Sequence, residues 1–147
     1  MPGTLTHSPA TAIQSLLIAL GVATDPASSA AWPVYASAEP DTPDNCITVY
    51  DTAGRDEGRR MTDGQRNERS GFQVRVRSKD HATGYTKARA IAVAMDGVLR
   101  QTVLVSTQHY LIWAVTRSSD VLALGPESPS SKRPIFTVNA TASIKQT

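Results

Sequence analysis

The side chains able to do chemistry are few and scattered. Three histidines, His7, His81 and His109, stand too far apart in sequence to suggest a local metal site, and one cysteine, Cys46, opens an apolar stretch. A thiol in that setting reads as a small buried hydrophobe. His81 follows Asp80 directly, a pairing suited to the start of a helix more than to general base work. The acids Asp51, Asp56, Glu57 and Asp63 are of a type that can hold a hard cation. Arg55, Arg59, Arg60, Arg66 and Arg69 interleave with them and compete for the same carboxylates. A self-neutralising polar segment is the better reading. There is no G-x-S-x-G, H-E-x-x-H, Walker A run or G-x-G-x-x-G after a strand, so the expectation is a non-enzyme with no cofactor and no metal.

The elements around these residues are clearer. In "HSPATAIQSLLIALG", Ser8 can cap a helix and Pro9 suits its first position. Ile13, Leu16, Leu17 and Leu20 then form one apolar stripe, and Gly21 can end it, which gives a helix over 8–21. Residues 22–43 read as loop with a short extended piece at Trp32–Ala36. "CITVYD" is a strand. Residues 52–70 hold Gly54, Gly58 and Gly64 and almost no apolar content, and read as a long mobile loop. "FQVRVR" puts Phe72, Val74 and Val76 on one face and Gln73, Arg75 and Arg77 on the other, a sheet covered on one side and polar on the other. Asp80 caps a second helix, with Ala88, Ile91, Ala92 and Met95 at helical spacing and Gly97 at its end. Its many alanines allow close approach to a sheet. "TVLVST", "YLIWAVTR", "DVLALG" and "PIFTVNATASIKQ" follow as strands, with a turn at Gln108 between the first two. Strands bunched after the second helix predict an α+β fold: one domain over 1–147, a mixed but mostly antiparallel sheet, two helices on one face and a long polar loop.

The chain of 147 residues suffices for one modest core. Hydrophobic residues at 40% and aromatics at 5% suggest long exposed loops or surface that only partners cover. A formal charge of +2 gives no electrostatic case for nucleic acid. Arg75 and Arg77 could meet phosphates, but no aromatic residues interleave with the basic ones to stack bases. No apolar run approaches the roughly 20 residues of a membrane span. The opening "MPGTLTHSPAT" lacks the pattern of a secretory signal, so a soluble protein of the cytoplasm is expected.

The run "NCITVYDTAGRDEGRRMTDGQRNERSGFQVRVRSKDHATGYTKARAIAVAMDG", with "VTRSSDVLALG" and the closing "RPIFTVNATASI", resembles the tail-terminator or minor capsid family of tailed bacteriophages. The resemblance spans residues 8–145. It implies a subunit of a closed ring, usually a hexamer, that caps the tail tube, stops its polymerisation and presents the surface joining the head. The implied partners are further copies of the chain, the tail tube protein and a head-completion or connector protein. DNA passes through the lumen without being gripped, no membrane is involved, and the location is the head-proximal end of the virion tail after assembly in the host cytoplasm. The family carries no catalytic residues to transfer. By position alone, Arg55, Arg59, Arg60, Arg66, Arg69, Arg75 and Arg77 are the expected contacts with subunits or partners. Two alternatives remain: a small nucleic-acid-binding module, which would show salt-dependent DNA affinity, and a head-completion adaptor, which would bind the portal side.

Overall fold

A computed structural model describes residues 5–59, 61–62 and 66–147, with side chains omitted for 55–59 and 66–68. Two helices and seven strands form an α+β domain in which a curled, mostly antiparallel sheet wraps the helices. Helix α1 (Pro9–Ala19) starts as expected: Ser8 Oγ accepts from the Thr11 N–H, and Pro9 opens the first turn. The Ala10 N–H is taken by Asp51 Oδ1 at 2.8 Å, which pins the helix start to the sheet. Gly21, at φ +76°, turns the chain away.

Strand β1 (Val34–Ala36) runs parallel to β2 (Cys46–Arg59), and β2 pairs antiparallel with β3 (Arg66–Arg77). Helix α2 (His81–Asp96) follows, then β4 (Leu99–Val105), β5 (Gln108–Arg117), β6 (Leu122–Pro126) and β7 (Pro134–Gln146). The sheet order is β1-β2-β3-β7-β5-β4, with β6 also on β7. β3 takes one edge of β7 through residues 135–143. β5 and β6 share the other edge, at 140–146 and 134–137. α1 packs against β1, β2 and β3 and also against β4 at the far end of the order, so the sheet curls around it. α2 lies on β3, β5 and β7. Between them Ile13, Leu16, Leu17, Ile47, Val49, Phe72, Val74, Ile91, Met95, Phe136 and Val138 are buried in one core. Gly84 lets α2 approach: a Cβ there would stand 2.6 Å from Phe136 Cε2.

The sequence reading and the structure part company at residues 52–70. Read as a loop, the segment carries the far halves of β2 and β3, with Arg55 opposite Arg69 and Arg59 opposite Arg66. β7 follows β3 only as far as Arg69, so the two strands continue past it as a ribbon. Gly54 and Gly71 belong to this ribbon. A Cβ on Gly54 would collide with the Arg69 carbonyl, and one on Gly71 would stand 2.6 Å from the Ala53 carbonyl oxygen. A register shift lies between Thr52 and Arg55. Glycines that signal a loop in sequence here permit close backbone approach in a bulged ladder.

Candidate functional site

Among the described residues, those first considered for catalysis or metal binding do not converge. His7 hydrogen-bonds Tyr110 twice: its N–H donates to Oη at 2.9 Å, and its Nδ1 lies 2.7 Å from the same oxygen. His81 stands edge-on to Phe136, with ring centroids 5.2 Å apart. Cys46 is fully buried, and burial pushes its thiol up to about 11, which keeps it protonated and unreactive. Among the described residues no group of three metal-ligating side chains comes together. No described helix is long and apolar enough to cross a membrane.

Arginine and carboxylate side chains do converge, on the sheet face away from the helices. Arg77 departs most from expectation. Its alternation with Val74 and Val76 places it on that opposite face, as the pattern predicts, yet it is only 1% exposed. The loop before β2 and the turn between β6 and β7 fold over it. Its guanidinium donates to the carbonyls of Pro43 at 2.7 Å, Asp41 at 3.2 Å and Asp44 at 3.3 Å, and to Glu127 Oε1 at 3.3 Å. A period-two pattern reports which face a side chain takes, not whether chain from elsewhere covers that face. Arg77 is therefore held inside the subunit.

Arg133 completes the cluster from the other side. Its Nε and Nη2 reach Glu127 Oε2 at 2.9 and 2.6 Å, while Nη1 meets the Asp41 carbonyl at 2.7 Å and Asp44 Oδ1 at 3.1 Å. Burial alone would raise the Glu127 carboxyl. Hydrogen bonds from Arg133 and Ser131 and the charge of Arg77 outweigh it and hold the group below its ordinary range. Arg75 is part-exposed, with Nε 3.4 Å from Glu39 Oε2. That distance carries Coulomb attraction, but neither Arg75 Nε nor Glu39 Oε1 makes a hydrogen bond, and neither does Thr48 Oγ1 opposite Arg75.

Of the other arginines singled out by sequence, Arg69 is exposed on β3 opposite Arg55. Arg60 lies outside the described residues, as do the side chains of Arg55, Arg59 and Arg66 and those of Asp56, Glu57 and Asp63. Sequence reasoning missed Glu39 and Glu127, which meet Arg77 from distant parts of the sequence, and Arg133, which reaches the same Glu127, and no local pattern links them. It also missed that Leu99, Leu104, Trp113, Leu122 and Leu124 stand exposed on β4, β5 and β6. On the helix side an open cleft of about 510 Å³ runs between Trp32 and α2, with the Lys87 ammonium 5.5 Å from the indole centre. Burial lowers the pKa of that lysine.

The arrangement holds chain segments together and presents surface; among the described residues it brings no nucleophile, base and acceptor site into one place. A family model described as bacteriophage tail terminator protein matches residues 16–146. The chain belongs to this family. The tail-terminator match spans both helices and all seven strands apart from the first turns of α1. No curated protein matches the sequence. Among solved structures, a chain of the virion of a native gene transfer agent particle is similar at 15% identity and a TM-score of 0.48, with 92% of each chain covered. As a tail terminator, the protein is a structural component of a phage-type virion that assembles with other tail and head proteins.

Proposed function

We propose that the chain forms a closed ring, of six subunits, on the last ring of the tail tube at the head-proximal end of the virion. There it stops tube polymerisation and offers the surface that the head-completion or connector protein joins. The observation that carries this reading is the family match over residues 16–146. The ribbon of β2 and β3 beyond β7 supports it. A two-stranded ribbon alone is marginal in water, and this one gains third-strand support only up to Arg69. Contacts with neighbours are the natural use for it, and Arg69 and Arg75 lie where such contacts would form. Arg77 serves the fold of the subunit instead. DNA passes through the lumen without specific binding, and the protein catalyses nothing.

The test is a mass measurement by light scattering, with negative-stain imaging, on the protein alone and after addition of purified tail tubes. The expected result is a ring of uniform size, in solution or at one end of each tube. A chain that stays monomeric and never binds tubes would overturn the reading.

A further inference from the structure

We infer that residues 37–45, the link between β1 and β2, form a strap latched by charge that opens on its own while the rest of the subunit stays folded. The movement belongs to the single subunit and does not depend on the ring.

The first observation is what the strap lacks. None of residues 37–45 is buried, and none packs against the apolar core. On one flank an open hollow of about 410 Å³ lies between Pro43–Asn45 and Trp32. Closure therefore gains little of the apolar burial that holds the helices in place. Segments with few buried apolar contacts are the ones that open locally, at a free energy below that of global unfolding.

The second observation is what holds the strap shut. Along its middle the carbonyls of Asp41, Pro43 and Asp44 accept from Arg77, while Arg133 donates to the Asp41 carbonyl and the Asp44 carboxylate. Both arginines stand on the body of the subunit, at the end of β3 and just before β7, and Glu127 ties them to each other. At the strap's two ends the Ser37 N–H donates to the Val49 carbonyl at 2.8 Å, and Asn45 Oδ1 accepts from the Lys79 N–H at 2.8 Å. Ser37 adopts a left-handed conformation, φ +65°, where the chain leaves β1. The latch is polar throughout and concentrated on two guanidinium groups.

The third observation is what lies beneath. Thr48, Arg75 and Thr137 form one rung of the outer sheet face, and Cys46, Arg77 and Ile135 form the next. Thr48 Oγ1, Arg75 Nε and Glu39 Oε1 are buried without a hydrogen-bond partner in the protein. Opening returns these groups to water, which offsets part of the cost of breaking the latch. Over an apolar face the same movement would be opposed by the hydrophobic effect. Here Ile135 is the one aliphatic side chain in the two rungs.

Cys46 reports the movement. It is the chain's single cysteine, fully buried, paired with Arg77 in the ladder and next in sequence to the end of the strap. The full chain is treated with iodoacetamide over a range of urea below its unfolding transition, and alkylation is followed by mass. The urea-unfolded chain gives the rate of an open thiol. Arg133→Gln and the core variant Ile13→Val are run beside the unaltered protein. The expected rate is slower than in the unfolded chain by about a hundredfold or more, yet nearly independent of urea well below the transition, because little surface is exposed on opening. Arg133→Gln raises that rate by about tenfold, the loss of one charged hydrogen bond. Ile13→Val leaves it unchanged. Alkylation with the full urea dependence of global unfolding, or that rises with Ile13→Val, means that the strap opens only with the whole subunit, and overturns the inference. A rate equal to that of the unfolded chain, or one that Arg133→Gln does not raise, means that no such latch closes over Cys46, and overturns it as well. The unaltered chain and Ile13→Val decide the matter even if Arg133→Gln does not fold.

Discussion

Two regions of the sheet are treated in opposite ways. Over β2, β3 and the start of β7, two loops fold across the strands and a cluster of arginines and carboxylates holds them there. Over β4, β5 and β6, leucines and a tryptophan stand in solvent with no chain across them. Burial of charge is costly, and it is tolerated under the loops because Arg77 makes four hydrogen bonds and Glu127 receives two arginines. Exposure of apolar surface is costly too, in solubility and not in fold. The comparison separates two jobs. The polar end is finished within the subunit, and the apolar end is left unfinished.

If the polar end is internal structure, its loss should strike the single subunit. Arg77→Ala leaves Glu127 Oε1 and the carbonyls of Pro43 and Asp44 without their donor in a buried setting, and is expected to cost about 3–5 kcal/mol in urea or thermal unfolding. A loss under about 1 kcal/mol would show that the loops hold without it. Arg133→Ala removes a more accessible member and is expected to cost about 1.5–3 kcal/mol, by the same measurement.

The pH dependence sharpens the comparison further. The Glu127 carboxyl titrates lower in the folded chain than its ordinary value of 4.5. Its contribution is thus fully present above pH 4.5 and is lost as pH falls through the depressed folded value. Stability curves of the unaltered chain and Glu127→Gln should therefore converge as the solution is acidified below that point. Parallel curves would mean that the carboxylate contributes nothing specific. The smallest effect is expected at the apolar end. Leu104→Lys should change subunit stability by no more than about 0.5 kcal/mol, because the side chain already faces solvent. A larger loss would make Leu104 part of the fold and erase the contrast.

Local signals carried well into the structure. Ser8, Pro9 and Asp80 opened helices where capping chemistry placed them, with Asp80 accepting from the Thr83 N–H at 2.8 Å. The face assignment of Phe72, Val74 and Val76 also held, because side-chain alternation is a property of the strand itself. The failures share a cause. Arg77 looked exposed because its cover comes from residues 41–44 and 127, distant in sequence. The ribbon looked like a loop partly because Gly54 answers to close backbone approach, not to a turn. Leu99 went unmarked because a left-handed Arg100 breaks the alternation that would turn it inward with Val103 and Val105. The outer-face cluster was legible only at Arg75 and Arg77, and its other members enter through tertiary contacts.

The curl of the sheet around α1 has a consequence for synthesis. The helix spans Pro9–Ala19, but one of the strands that encloses it, β4, spans Leu99–Val105. As the chain leaves the ribosome, the stripe of Ile13, Leu16 and Leu17 has no complete partner surface until most of the sequence has been made. At roughly 5–20 residues per second, that interval lasts seconds. The helix most deeply enclosed in the finished subunit is the one exposed longest on the nascent chain.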